Sequence, residues 1–460
     1  MRKEIFVIGT IAYAVLAVLA VVFYVERTAF VDMAFHLFYL IKDGHLAIQN
    51  YRFGAAVTQV FPMLGSKLGL SLKQLMYVYS LVFVLLDYAI FFVNIRVFKS
   101  ARFGAAMLLL STLMVTDTFY WMLSELRQGM ALMWPYFLFL GYVSRRDTTP
   151  WWYLPVSVVA LMTFAFLHPL MVFPFTFVAL FLLLEKRDRH YRMLLAGHLT
   201  GFWGVYVIKS LFFKTAYESG AMGGLHNFIT LFPNYFTLES DKRLLSYALH
   251  DYYLLYLLFF ALLGYYVMRR EIWKLLLLAG FFIGYTLVIN VSYPKGADQF
   301  YIENMYLPLS VMVILPLVYE APRVLSKRWL LISLAVIVAI RLVHIGLSHT
   351  PYTNRVAYLK RIMATTAEQP RKKIIMDERY FSKDTLIMSW GTPYEIWLLS
   401  TMDGGPTRSI MIAQDAKRYE WVRGVKDKFV PTWGAFEYKD LPPRYFHFSD
   451  TSGYVVKTFD

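Results

Sequence analysis

The sequence predicts an all-α polytopic membrane protein of about eleven transmembrane helices, carrying a small C-terminal α+β domain outside the membrane. Three observations lead there. The 460-residue chain is 58% hydrophobic and 18% aromatic, with a mean hydropathy of +0.48. Only 17% of it is charged, below the roughly 25% usual in soluble domains. Apolar runs of about 20 residues recur, long enough to cross a hydrocarbon core of about 30 Å. The formal charge of +15 does not point to nucleic acid, because the basic residues collect in short joins between apolar runs. With no cysteine, disulfides, thiolate metal sites and a Cys nucleophile are excluded.

The first segment, MRKEIFVIGTIAYAVLAVLAVVFYV, lacks a small-residue cleavage site and is longer than a signal core, so it reads as an uncleaved span. Spans are expected near 5–24, 76–95, 104–122, 128–143, 152–167, 170–184, 194–212, 251–268, 274–292, 303–320 and 329–346. Every second join is basic. Arg2 and Lys3 mark the first, Arg96, Lys99 and Arg102 the next, then Arg145 with Arg146. The series continues through Lys186 to Arg192, Arg269 to Lys274, and Arg323 to Arg328. The positive-inside rule places these joins in the cytoplasm, with the amino terminus inside and the carboxyl terminus outside. The implied location is a bacterial inner membrane, with the C-terminal domain periplasmic. A transmembrane domain then covers about 1–346, with outward loops at about 25–75, 117–127 and 213–250. Residues from about 347 to 460 form the periplasmic domain, where charges return and DTLIMSW, RSIMIA and YVVKTF read as short strands. No internal repeat is visible, which weighs against transporter folds built from inverted halves.

Directly after the first span comes FVDMAFHLFYLIKDGH, Phe30 to His45. As a helix it places Asp32, His36, Tyr39 and Asp43 on one stripe, with Phe30, Ala34, Leu37 and Ile41 opposite. Such a helix suits the membrane–water interface. Gly44 ends it, and a second short helix is expected from about Gly54 to Leu68, with Arg52 just ahead of it. An acid beside a membrane is a functional candidate. Asp32 reads as a general base or metal-binding carboxylate, with His36 orienting it or a phosphate. The plainer reading is that Asp32 caps or solvates the helix.

VTDTFYWMLSELRQG adds Asp117, Glu125 and Arg127 on the same face. Two acids from separate outward loops, Asp32 with Asp117 or Glu125, are candidates to hold a divalent cation such as Mg or Mn, since hard cations take oxygen ligands. An ion pair between Glu125 and Arg127 is the plain alternative. FLHPL sets His168 in a tight turn between nearly non-polar spans, where it needs a partner. The loop at 213–250 carries Lys214, Glu218, His226, Lys242 and Arg243 among glycines that permit mobility, and Lys295, Asp298 and Glu303 follow. Arg127, His168 and Lys295, supported by Arg52, are candidates for an anionic headgroup. There is no Walker A motif, dinucleotide fingerprint, HExxH or G-x-S-x-G, so ATP hydrolysis, zinc proteolysis and serine hydrolysis lose support.

The layout resembles the GT-C class of polytopic glycosyltransferases. The likeness lies in a first span followed by a long outward loop with an early acid (FVDMAFH), then short third and fourth spans joined by an acidic outward loop (TDTFYWMLSELRQG). A later long outward loop and a terminal outward domain complete it. The resemblance implies transfer of a sugar from a polyprenyl-phosphate donor to a glycan, lipid or protein acceptor, with no soluble nucleotide and no nucleic acid. It implies that Asp32 takes the base role, and that Asp117 or Glu125 occupies the place of a second acid that binds a metal or the acceptor. It further implies that loop 213–250 closes over the donor. Met33 replaces the second acid that follows in protein mannosyltransferases and aminoarabinose transferases, and WWY at Trp151 is not the oligosaccharyltransferase WWDYG, so no subfamily is assigned. A transporter or flippase of lipid-linked glycans is the first rival, suggested by Asp87, Lys209 and Arg341 inside spans. A non-catalytic assembly subunit is the second.

Overall fold

The computed structural model describes residues 1–122, 125–213, 215, 223–367 and 373–459. Lys214, Glu218 and Gly220 to Met222 of the glycine stretch expected to move therefore lie outside the described residues. The chain is mostly helical, with a small sheet near its carboxyl end. Among the described residues, four helices are long and apolar enough to cross a membrane: Arg2–Val22, Leu72–Val97, Ile272–Ser292 and Lys327–Ala367. Two bent pairs raise this to six if each is one span. These are Glu239–His250 with Tyr253–Arg269, and Gln299–Tyr306 with Pro308–Val324.

Local signals start and stop these helices. Ser71 caps the second long helix by accepting from the Gln74 backbone N–H, while the Gln74 side chain accepts from Ser71 N–H. This reciprocal box satisfies two donors that a helix start leaves open. The Val31–Asp43 helix ends where expected, at Gly44 with φ of 67°, a backbone state that costs glycine little. The second short helix of the first loop runs from Ala56 to Lys67.

One expected span is much shorter than the hydropathy suggested. The segment near 104–122 is helical only over Ala101–Leu110. The rest runs as turns, with one short 3-10 turn at Asp117–Phe119. Its exposed backbone groups are met by two charged side chains. Arg341 donates to the carbonyls of Thr112 (3.1 Å) and Val115 (2.9 Å) and to Thr116 Oγ1 (2.9 Å). Glu303, fully buried, accepts from the N–H groups of Thr116 (2.8 Å), Asp117 (3.2 Å) and Thr118 (2.9 Å). Unpaired backbone at such depth is expensive, so hydropathy alone could not reveal the break.

The tail forms a parallel sheet in the order β2-β1-β3, with β1 Lys373–Asp377, β2 Ser409–Ala413 and β3 Val455–Lys457. RSIMIA and YVVKTF supply strands as expected. DTLIMSW does not: it holds a helical turn at Lys383–Leu386, and Ile387 at φ 58° breaks any extended run. The central strand is instead KIIMD, a short run buried at every position, which reads as ambiguous from periodicity alone.

The Val31–Asp43 helix is not laid against lipid on its apolar side. Met33, Ala34, Leu37, Phe38 and Ile41 pack in one cluster with Leu75 and Tyr79 of the Leu72–Phe92 helix and with Tyr394, Trp397 and Phe446 of the tail. Phe38 is its hub, with ring centroids 5.1 Å from Tyr394, 5.4 Å from Trp397 and 5.6 Å from Phe446. Burying that one ring is worth about 1.5–3 kcal/mol. A smaller cluster around Ile375, Met411 and Val456 closes the other face of the sheet.

Candidate active-site cavity

Asp32 opens its helix immediately after a strained residue. Val31 sits at φ 37°, a conformation that a β-branched side chain adopts only under constraint. The constraint comes from the tail. The Val31 N–H donates to Glu395 Oε1 at 3.0 Å. Glu395 is held in turn by the Arg355 guanidinium, Nε to Oε2 at 3.0 Å and Nη2 to Oε1 at 2.8 Å, with both side chains essentially unexposed. Gly391 completes the clamp, because a Cβ there would lie 2.7 Å from Val31 Cα and 2.7 Å from Glu395 Oε1. Only a residue without a side chain permits that approach. The clamp thus fixes the backbone that aims Asp32.

Asp32 projects into a cavity of about 1210 Å³. Trp121 Nε1–H donates to its Oδ2 at 2.8 Å. Trp121 is positioned by the irregular loop described above, which Arg27 also fastens. Buried Arg27 donates to Ser80 Oγ (2.8 Å) and Ser80 O (3.0 Å), and also to the Phe119 carbonyl. Across the same cavity Arg52 pairs with Glu125, Nη1 to Oε2 at 3.2 Å. Burial and the nearby Glu125 charge raise the Asp32 carboxyl to about 6, while the Trp121 hydrogen bond and Arg52 act in the opposite direction. Asp32 is therefore ionised at neutral pH yet far more basic than an ordinary aspartate.

Two imidazoles line the same space. Burial lowers the pKa of both, His168 well below the ordinary value, and the positive charges of Arg52 and Lys209 push His168 further down. His168 Nδ1 accepts from the Leu170 backbone N–H at 3.2 Å, which assigns the proton of the neutral ring to Nε2. His168 thus offers a donor. His36 Nδ1 lies 3.1 Å from the Ala47 carbonyl. Gln59 bonds to Ala47 on both sides, donating to its carbonyl at 3.1 Å and accepting from its N–H at 2.7 Å. His36 and Gln59 together tie down the segment that delivers Arg52.

The structure brings Asp32, His36, Arg52, Glu125 and His168 together. It leaves the other candidates elsewhere. Asp117 does not line the cavity: it accepts from Tyr352 Oη at 3.0 Å, and burial beside Glu303 raises its carboxyl. Arg127 turns into the helix bundle and pairs with Asp87, not with Glu125, and Ser111 Oγ also donates to Asp87 at 3.1 Å. Lys295 is exposed and away from the cavity. Asp87 and Arg341, which suggested transport, are thus both engaged by fixed partners. No group of three or more His, Asp or Glu suited to a metal occurs among the described residues, and an arginine occupies Glu125.

Sequence reasoning missed Trp121, Asn304 and the Arg355–Glu395–Gly391 clamp. Asn304 lines the cavity and leaves its side-chain oxygen without a hydrogen-bond partner. The signal in SWGTPYE was a glycine and an acid a turn apart, but nothing in the sequence ties it to Val31. No family model matches the chain, and no curated protein or solved structure matches it either.

Proposed function

We propose that the chain is an integral membrane glycosyltransferase that moves a sugar from a polyprenyl-phosphate donor to an acceptor hydroxyl at the outer face of the membrane. The observation that carries this reading is Asp32, a carboxylate with a pKa of about 6 aimed into a large cavity beside Arg52 and His168. A base poised just below the working pH is suited to proton abstraction. In the reaction the acceptor oxygen attacks the anomeric carbon, the bond from that carbon to the phosphate oxygen breaks, and the hydroxyl proton passes to Asp32. Arg52 and the Nε2–H of His168 stabilise the departing polyprenyl phosphate, taking the place first considered for Arg127 and Lys295. Glu125 holds Arg52 in place and keeps Asp32 basic.

The same reading includes eleven spans, several of them too short or bent to stand alone as membrane helices, an amino terminus in the cytoplasm of a bacterial cell, and a periplasmic region from about residue 347. Two facts support a common sidedness. Lys274, Glu185 and Glu320 meet where three helices have their basic joins. Lys327 reaches Glu4 at 2.6 Å near the amino terminus. The test is sugar transfer by Asp32→Asn in vesicles supplied with lipid-linked donor. Transfer should fall by about 10²–10⁴-fold at normal expression, and full activity would remove Asp32 from the chemistry.

A further inference from the structure

We infer that the far half of the cavity is a saccharide-binding shelf, so that the acceptor is a glycan chain; this rests on the transferase reading for Asp32. The shelf begins on the Asp32 helix itself. Phe35 and Tyr39 follow at three and seven residues, on the same face, so they continue from Asp32 over roughly 10 Å of helix. Opposite them stand Trp390 and Trp433, which also line the cavity. The two indoles lie 4.8 Å apart at 48°, and Phe35 is 5.4 Å from Trp433. Tyr39 Oη donates to the Trp433 carbonyl at 2.9 Å, fixing the tail side of the shelf to the helix side. Trp433 is 52% exposed, a large apolar surface left uncovered on a wall of the cavity.

The exposed indole of Trp433, backed by Trp390, suits the C–H face of a pyranose ring, because the negative π face attracts the weakly positive C–H edge. The hydroxyls need polar partners at the side, and the tail supplies them. Gln414 and Asp415 follow directly on β2, with Thr432 close by. Open parallel sheets present ligand sites beyond the carboxyl ends of their strands, which is where these residues stand. Nearer the reacting end, Asn304 offers an unsatisfied acceptor. The charge pattern favours a neutral ligand. The charged pair of the far half, Asp415 and Arg418, is self-paired at 3.3 Å, leaving no surplus of either sign for a charged peptide or a lipid headgroup. The geometry places a terminal sugar hydroxyl at Asp32 with the preceding units stacked along the shelf.

The experiment uses the full chain in detergent and a panel of soluble tetrasaccharides of glucose, galactose, mannose and N-acetylglucosamine in α and β linkage. Binding is read by tryptophan fluorescence and saturation-transfer NMR. At least one member should bind saturably, Trp433→Ala should weaken it by about tenfold, and Trp433→Phe should recover most of the loss. Trp433 is a rim residue, so circular dichroism and thermal melting of both variants should match the parent. Failure of every tetrasaccharide to bind, or binding indifferent to Trp433→Ala, overturns the shelf. So does saturable binding of neutral peptides in place of the saccharides. The two readings fail separately. Trp433-dependent binding with full transfer by Asp32→Asn sinks the catalytic assignment alone. Loss of transfer in Asp32→Asn with Trp433-independent binding sinks the shelf alone.

Discussion

The two ends of the helical region handle buried charge in opposite ways. At one end Lys274 lies 2.8 Å from Glu185, 2.7 Å from Glu271 and 2.7 Å from Glu320, and Arg323 adds contacts to Glu320 and Glu185. Lys274, Glu185 and Glu320 are each less than a tenth exposed, and the acids are matched by cations at contact distance. At the other end Arg52 and Glu125 form one pair, and Asp32 is left with an indole N–H and an open cavity. Acids and cations that hold one another at contact distance tie helix ends together. An acid that is buried but not neutralised keeps a raised pKa, and the space beside it lets a substrate reach it.

Four substitutions sharpen or break that contrast. The largest effect belongs to Asp32→Asn, as set out above. The parent rate should also rise with pH through about 6 and level off above it, because only the ionised carboxylate accepts the proton. A pH-independent rate between 5 and 7 would contradict the assignment. Next comes Arg355→Ala, which strands buried Glu395 and releases the clamp on Val31. It should destabilise the fold by about 3–5 kcal/mol, seen as an earlier thermal transition. An unchanged melt would show that the pair is not needed to hold the tail against the Asp32 helix. Lys274→Met addresses the sealed end. Stability should fall by about 3 kcal/mol, while transfer per folded molecule stays at the parental level. A selective loss of transfer with a normal melt would mean that this end is chemical after all. The smallest effect is Glu125→Gln. Removing that negative charge lowers the Asp32 pKa, and the positive charge of Arg52 continues to act in the same direction. The acidic limb of the rate profile should move to lower pH, and a move upward would place Glu125 in another role.

The helical class and the stripe on the Val31–Asp43 helix were legible because both depend on local periodicity. The stop at Gly44 was equally plain, since a left-handed residue at a helix end is a local event. The early break of the third apolar helix was not legible. Arg341 and Glu303 satisfy its backbone from more than 180 residues away in sequence, and hydropathy counts only side chains. The partner of Arg127 was hidden for the same reason: Glu125 is near in sequence, but on a helix i and i+2 point apart, and Asp87 waits on another helix. KIIMD escaped because five buried residues carry no alternation to read.

By itself the sequence determined that the chain is mostly helical, that several segments are apolar enough for a membrane, and that Asp32 stands on a polar face. Those follow from residue chemistry acting over a few turns of chain. Only the tertiary structure decided that Arg52, Glu125, Trp121 and His168 share a cavity with Asp32, and that Glu395 and Gly391 fix the backbone ahead of it. Such encounters depend on how helices far apart in sequence cross and pack, and on the low-dielectric surroundings that result, and neither quantity is written in any local pattern.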